Sequence, residues 1–205
     1  DNVVDERVQR VLSYKTKLNP IDFNRTYEDV KETVESVETK ALVSKIVEEA
    51  VTLIKGDLLK LANNSLLITT LPKATTIADD TDGGSTLSRK VKKEISNLAI
   101  LETAVSPTEE EIKLVLEKAK SYDQVIYTTY NGNVYQSQIK LVDELAKLNK
   151  DLHILALRNP YDLYYTQSIK NYVAFYEYTP NSNDAVIKYL KGELIPKGKA
   201  PIKYE

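Results

Sequence analysis

The chain has 205 residues, of which 42% are hydrophobic and 28% are charged, and its formal net charge is −2. This composition is ordinary for a globular protein and too apolar for a disordered chain. A near-balanced charge without a basic, aromatic-rich stripe argues against nucleic-acid binding. The lack of cysteine excludes disulfide bonds, thiolate metal ligands and a cysteine nucleophile.

The start of the sequence and the length of its apolar runs indicate whether the chain is a processed fragment and whether it crosses a membrane. The chain contains no methionine and begins at Asp1 without a charged and apolar leader, so we expect it to be a piece of a longer protein. Its apolar runs fall well short of the roughly 20 residues that cross a bilayer, so we predict no transmembrane segment. The compartment stays open, with secretion or the cell surface favoured over the cytoplasm.

The first third of the chain predicts two helices separated by a connector. Apolar residues recur at helical spacing over residues 3–18, and Asn19-Pro20 ends that pattern. Residues 20–36 are polar and without a clear period, which indicates an irregular connector. A second helix is predicted over residues 39–55, ending at Gly56, because a glycine tolerates the left-handed conformation that often follows a helix. We therefore divide the chain into residues 1–36 and a domain of residues 37–205.

An alternation of short apolar runs and amphipathic helices follows. One helix is predicted to begin at Ser106-Pro107, with Ser106 as its N-cap, and others span about residues 134–149 and 182–191. This rhythm predicts an α/β fold, a three-layer α/β/α sandwich around a mostly parallel, doubly wound sheet of about five to six strands. We expect a flavodoxin-like strand order, with an antiparallel edge strand from the C-terminal tail. The predicted strands lie at 66–70, 98–101, 125–129, 153–157 and 172–176.

Several catalytic and binding motifs fail when they are tested against the sequence. The glycine-rich phosphate loops are absent, and the acidic loop at 79–84 does not fit a calcium-binding loop, so we read it as a solvated turn. The one histidine, His153, lies inside a predicted strand and has no G-x-S-x-G serine to pair with, so a core role is favoured. We predict no metal site and no cofactor.

The segment Arg158-Asn159-Pro160-Tyr161-Asp162 directly follows a predicted strand. Ligands of doubly wound sheets bind beyond the carboxyl ends of the strands, and Arg158 offers five donors for a carboxylate or a sugar hydroxyl. The alternative is that Arg158 and Asp162 pair with each other or cap the next helix. Nearby tyrosines suit sugar stacking as well as a domain interface, with packing or interface favoured. They are Tyr161, Tyr164, Tyr165, Tyr172, Tyr176 and Tyr178.

The same segment carries a resemblance to a known family. Leu155–Leu163 resembles the strand-and-turn signature in the C-terminal domain of family 3 glycoside hydrolases of the β-N-acetylglucosaminidase, or β-hexosaminidase, type. Other stretches agree with that domain in order and spacing, most strongly over residues 125–202. They are Val8–Lys17, Ala50–Lys55, Thr128–Asn131 with Gln138 and Leu141-Val142, Tyr176–Pro180 with Ala185-Val186, Leu190–Glu193, and Pro196–Ile202.

The resemblance implies a division of labour within a larger enzyme. In this family an N-terminal (β/α)8 barrel carries the chemistry, and nothing in this sequence resembles its K-H-F-P-G-H-G-type signature, so no catalytic residue is carried over. The expected partner is that barrel, with the helix and connector of residues 1–36 leaving it. The parent would release terminal β-linked N-acetylglucosamine, plausibly from peptidoglycan fragments, with retention at the anomeric carbon.

The resemblance leaves a substrate-binding role for the loops after the strands. Our candidates are Asn131, Arg158, Asn159 and Asp162, and we expect the chain alone to be inactive. Two other functions remain open. One is a stand-alone module that binds carbohydrate or muropeptides, and the other is a structural interaction domain with an exposed apolar patch and self-association.

Overall fold

The computed structural model of the chain describes residues 2–18, 24–71, 86–148 and 150–204. It consists of two compact units, residues 1–40 and residues 41–205. The division between them falls inside a helix, so the boundary that the sequence analysis draws at residue 36 stays a prediction. The predicted acidic loop at 79–84 lies outside the described residues.

The first unit contains two helices and the beginning of a third. Helix α1 spans Asn2–Lys15, which confirms the first predicted helix apart from its last turn, whereas Asn19-Pro20 lie outside the described residues. Helix α2 spans Tyr27–Val34 and corrects the irregular connector. Its start has a physical cause that the sequence contains, because the Thr26 hydroxyl accepts from the Asp29 N–H while the Asp29 carboxylate accepts from the Thr26 N–H. Helix α3 spans Val37–Ala50.

The second unit is built on a six-stranded sheet. The strands are β1 (Thr52–Lys55), β2 (Ser65–Leu71), β3 (Ala99–Ala104), β4 (Gln124–Thr129), β5 (Asp151–Ala156) and β6 (Asn171–Ala174). They lie in the order β1-β6-β5-β4-β2-β3, and every neighbouring pair is parallel except β1 and β6. The five parallel strands follow the flavodoxin-like order that the sequence analysis prefers.

The antiparallel edge strand comes from a different part of the chain than expected. It is β1, not the C-terminal tail, and it occupies residues that the sequence analysis assigns to the end of the second helix. The run Val51-Thr52-Leu53-Ile54 has apolar residues that continue the helical period. However, three of its four residues are β-branched, and such side chains favour a strand. The helix therefore stops at Ala50.

Helices cover both faces of the sheet, which confirms the three-layer sandwich. They are α4 (Leu87–Glu94), α5 (Glu109–Ala119), α6 (Gln136–Ala146) and α7 (Pro180–Leu190). Alternate residues of a strand point to opposite faces. Leu67, Ile126 and Leu155 pack in one core cluster with residues of α4 and α7. Leu66, Val125 and Ile154 pack in a second cluster with residues of α5 and α6.

Helix α5 begins two residues later than the predicted start. Its N-cap is Thr108 rather than Ser106: the Thr108 hydroxyl accepts from the Glu111 N–H, and the Glu111 carboxylate accepts from the Thr108 N–H at 2.8 Å. Both starts have a glutamate three positions on, Glu109 after Ser106 and Glu111 after Thr108, and in the structure the second pair closes the capping box. Strand β3 also ends later than predicted, at Ala104, so strand and helix are both displaced toward the C-terminus.

We predict that Gly56→Ala destabilises the chain more than Gly192→Ala. Both glycines have a φ near +75°, at +76° and +74°. An added Cβ at residue 56 would lie 2.2 Å from the Lys170 carbonyl oxygen, whereas nothing lies within 4 Å of one at residue 192. Gly192→Ala should cost about 1–2 kcal/mol of unfolding free energy for the left-handed backbone alone. Gly56→Ala adds a clash with backbone and should cost more than about 3 kcal/mol.

Urea unfolding of the two variants beside the parent chain measures both costs. The pair shares its backbone conformation, so the difference between the variants reports the close approach of the β1 edge to β6. Equal midpoints for the two variants would contradict the prediction.

Candidate functional site

The loops after β4 and β5 meet at the carboxyl edge of the sheet, because these two strands are paired along their whole length. In a doubly wound sheet this edge binds ligands, above all where neighbouring strands lead to helices on opposite faces. Here that place is between β2 and β4. The loop after β2 falls in residues 72–85, which lie outside the described residues. The candidate site is therefore described on the β4 and β5 side of this edge.

Asn131 and Asn159 come together at this edge. Asn131 has a φ of +52°, a left-handed conformation that asparagine tolerates better than most residues. Its backbone carbonyl accepts hydrogen bonds from the N–H groups of Val134 at 2.8 Å and Tyr135 at 3.0 Å. Its side-chain oxygen accepts from the N–H of Asn159 at 3.4 Å, and both asparagines are half-buried. Two of the four predicted site residues are therefore in contact.

A buried glutamine holds the base of the β4 loop. The Gln138 side chain, on α6, accepts from the Tyr130 N–H at 2.8 Å and donates to the Tyr130 carbonyl at 2.9 Å. It also donates to the carbonyl of Val105, beyond β3, at 2.8 Å. Gln138 has no exposed surface. Because its amide satisfies three buried backbone groups at once, it fixes the loops after β3 and β4 relative to each other.

Asp162 lies in the core beneath this edge, not on its surface. Its side chain has no exposed surface, and Oδ2 accepts from the Thr129 hydroxyl at 2.5 Å and from the Tyr172 hydroxyl at 3.1 Å. A Cβ on residue 132 would lie 2.5 Å from Oδ1, so the carboxylate requires Gly132. Burial raises the pKa of Asp162 to about 6. A carboxylate in this position connects the loop after β5 to the ends of the neighbouring strands.

Arg158 is half-buried and follows Leu157, whose N–H donates to the Thr129 carbonyl at 2.8 Å. It is therefore placed by the continuing pairing of β5 with β4, one residue before Asn159. Asp162 accepts hydrogen bonds from the hydroxyls of Thr129 and Tyr172, two residues of the sheet. These contacts differ from the sequence-based alternative, in which Asp162 pairs with Arg158. A substrate-binding role for Arg158, Asn159, Asn131 and Asp162 stays a prediction.

His153 is far from this edge in the register of its strand. It is the third residue of β5 and is buried, as expected, with Nε2 3.1 Å from the Asp151 carboxylate. Burial lowers its pKa. Among the described residues no three histidine, cysteine, aspartate or glutamate side chains are placed to hold a metal ion. In the same part of the chain no helix is long and apolar enough to cross a membrane.

The tyrosines that crowd the sequence separate into a buried and an exposed group, with Tyr176 half-buried between them and its hydroxyl donating to that of Thr52. Tyr172 and Tyr178 are buried, in the two different core clusters. Tyr161, Tyr164 and Tyr165 are exposed around the short 3-10 helix Asp162–Tyr164. Tyr204, which no sequence pattern indicates, stacks its ring on that of Tyr164 with centroids 5.6 Å apart. Only the closing of the tail onto the β5 loop shows this contact, since the two residues are far apart in the sequence.

No family model and no curated protein matches the sequence. Solved structures do match. A family 3 β-N-acetylglucosaminidase from Paenibacillus sp. strain FPU-7 superposes with a TM-score of 0.69 and 23% identity, over 97% of this chain and 39% of that one. A fungal multi-domain family 3 β-N-acetylglucosaminidase with a glucosamine N-acetyltransferase region gives 0.71 and 20%, over 99% and 23%. A β-glucosidase from Listeria innocua gives 0.63 and 15%, over 84% and 27%.

These matches establish the class of fold. The chain has the fold of a region found within family 3 glycoside hydrolases, both β-N-acetylglucosaminidases and a β-glucosidase. It spans less than two fifths of the length of each of these three proteins. The fold expected from the resemblance is thereby confirmed.

We predict that Asp162 makes the chain less stable as the pH rises. Its pKa is raised from 3.8 to about 6 on folding, so the protonated form favours the folded state, and this contribution is present below the unfolded pKa and lost as the pH passes the folded pKa. Between about pH 4 and about pH 7 the unfolding free energy of the parent chain should fall by about 2 kcal/mol relative to Asp162→Asn.

Urea unfolding at several pH values measures this difference, and a carboxyl titration followed by NMR locates the pKa itself. Glu111→Gln is the control of opposite sign, because hydrogen bonds from Thr108 lower the pKa of Glu111. Its stabilising contribution is present at neutral pH and lost as the pH falls. A constant difference between the parent chain and Asp162→Asn across this range would show that the carboxyl is not buried as described.

Proposed function

We propose that the chain is the C-terminal α/β sandwich domain of a family 3 glycoside hydrolase that releases terminal β-linked N-acetylglucosamine. In this proposal it contributes a wall of the sugar site and leaves the chemistry to the barrel. The observation that carries the proposal is the match of nearly the whole chain to a minor part of two family 3 β-N-acetylglucosaminidases. A fold shared at such low identity does not by itself transfer an activity, so the argument rests on particular residues as well.

The segments that carry the sequence resemblance support the proposal through the contacts they make. Gln138, Asn131 and Asn159 come from two of those segments: Gln138 bonds the backbone of Tyr130, the residue before Asn131, and Asn131 accepts from the Asn159 N–H. Asp162, from the same segment as Asn159, packs against Gly132 beneath them. The matching residues therefore serve a common purpose, which is to shape the loops after β4 and β5. This is the edge where a neighbouring domain and its ligand would meet the sheet.

The chemistry of the parent would follow the retaining route of glycosidases. A barrel aspartate would attack the anomeric carbon and form a covalent glycosyl-enzyme, which water then hydrolyses. Residues of this chain would act on binding alone. The Arg158 guanidinium and the side-chain amides of Asn131 and Asn159 are suited to donate hydrogen bonds to sugar hydroxyls or to an N-acetyl carbonyl. Peptidoglycan fragments are the substrates we favour.

The proposal predicts activity only in combination with a barrel. The pure chain should not hydrolyse a chromogenic β-N-acetylglucosaminide, because it supplies neither the nucleophile nor the acid. Adding the separately produced barrel domain of a family 3 β-N-acetylglucosaminidase should give hydrolysis above that of the barrel alone. Sugar release by the pure chain would overturn the assignment of the chemistry to the barrel. A mixture no faster than its barrel would argue against a shared site.

Arg158→Ala tests the shared site at one side chain. In the mixture it should lower kcat/KM about tenfold or more, the effect of losing about 1.4 kcal/mol or more of transition-state binding. Arg89→Ala, which removes an exposed arginine on α4, is the matched control and should leave kcat/KM unchanged. Circular dichroism of both variants checks that the fold is intact. Equal effects of the two substitutions would show that Arg158 is an ordinary surface residue.

A further inference from the structure

Three tyrosine rings form a continuous row on the surface of the second unit. Tyr161 and Tyr164 lie with ring centroids 6.3 Å apart and their planes tilted by 39°. Tyr164 and Tyr204 are stacked, with centroids 5.6 Å apart and an angle of 28°. We refer to Tyr161, Tyr164 and Tyr204 as the tyrosine row. Two of its members come from the loop after β5, and the third comes from the C-terminal tail.

The rings of the row are held in place by their own hydroxyl groups. The Tyr164 hydroxyl donates to the carbonyl of Lys203 in the tail at 2.6 Å. In return, the Tyr204 hydroxyl donates to the carbonyl of Pro160 in the β5 loop at 2.7 Å. This reciprocal pair clamps the tail to the loop. Because the rotation of two rings is already restricted, a ligand that stacks on them loses little further side-chain freedom on binding.

The row presents apolar ring surface to solvent in spite of its stacking. Tyr164 is 52% exposed and Tyr161 is 37% exposed. Burial and the neighbouring phenol groups raise the pKa of Tyr204, so its hydroxyl stays protonated and keeps its hydrogen bond at physiological pH. The surface is thus neutral, rigid and aromatic. A ligand that buries these rings would gain favourable contact energy, because part of their surface is exposed to solvent in the chain alone.

Hydrogen-bonding residues directly precede, in the sequence, the proline to which the row is bonded. Pro160, which accepts from Tyr204, is preceded by Arg158 and Asn159, and Asn159 is bonded to Asn131. A ligand that contacts both the row and this half-buried segment would meet apolar ring surface together with guanidinium or amide groups. A pyranose with equatorial substituents has that composition, since its ring C–H bonds form an apolar face and its hydroxyls form a polar rim.

A proline-rich peptide is the other ligand that commonly binds exposed tyrosines. Such peptides dock into grooves walled by separate aromatic rings. Here Tyr164 and Tyr204 stack on each other with centroids 5.6 Å apart, so no groove opens between these two rings. The row offers a continuous platform instead, which favours a saccharide.

We propose that the tyrosine row is a saccharide-binding platform that stacks on the pyranose rings of β-linked N-acetylhexosamine chains, with Arg158 and Asn159 at its polar end. The platform goes beyond the proposed function, because it would bind sugar without a barrel. Only the choice of an N-acetylated sugar rests on that function.

Binding of N,N′,N″-triacetylchitotriose to the full chain tests the platform. The chain has 14 tyrosines and no tryptophan, so its intrinsic fluorescence reports on tyrosine alone, and NMR of the ring protons locates the affected residues. Tyr161→Ala should weaken binding about tenfold, whereas Tyr161→Phe, which keeps the ring, should bind as the parent chain does. Tyr165→Ala is the matched control, because Tyr165 is 51% exposed in the same loop but does not belong to the row.

The outcomes separate this proposal from the proposed function. Saccharide binding that Tyr161→Ala weakens and Tyr165→Ala does not supports the platform, even if mixing with a barrel yields no activity. Absence of any ring-proton shift at about 10 mM saccharide overturns the platform, even if mixing restores hydrolysis. Preferential binding of a proline-rich peptide, or a loss of binding as large for Tyr165→Ala as for Tyr161→Ala, also overturns it.

Discussion

The carboxylate of Asp162 sets the arrangement of the candidate edge, because it is buried and must find its partners inside the protein. It receives hydrogen bonds from Thr129 at the end of β4 and from Tyr172 in β6, two strands that lie on either side of β5. One side chain of the loop after β5 therefore holds both neighbouring strands. Both hydrogen bonds go to Oδ2, and the other oxygen, Oδ1, leaves no room for a side chain at residue 132, so the β4 loop passes directly over the carboxylate.

This constraint explains why the buried support and the half-buried rim are formed by different residues of one short segment. Asp162 holds the segment from below, and Gln138 holds the opposing β4 loop through the two backbone groups of Tyr130. With both loops fixed, Arg158 and Asn159 are left at the half-buried rim. A surface of this kind loses little entropy when a ligand orders it, because its loops are already ordered by buried hydrogen bonds. Support of this kind favours a ligand-binding rim over a merely solvated turn.

The sequence predicts the parallel sheet well, because strands buried on both faces read as short apolar runs between amphipathic helices. It predicts less about what non-local contacts decide. The helical period of residues 42–54 hides β1, since that strand forms only by pairing with β6, over a hundred residues later. For the same reason the sequence places Asp162 beside Arg158 as a candidate ligand-binding residue. Whether an aspartate in a turn is buried depends on hydroxyl groups of two other strands, which no local pattern shows.

Helix α1 in the first unit carries a stripe of apolar residues, which bears on the proposed function. Val4, Val8 and Val11 recur at helical spacing on α1, and each is about half exposed. Exposed apolar residues are common singly, but a regular stripe of them along one helix is typical of a surface that another body covers. The family 3 enzymes that share this fold have more than half of their length outside the matched region. A covering domain in the parent protein would account for the stripe, and self-association of the chain would account for it where that domain is lacking.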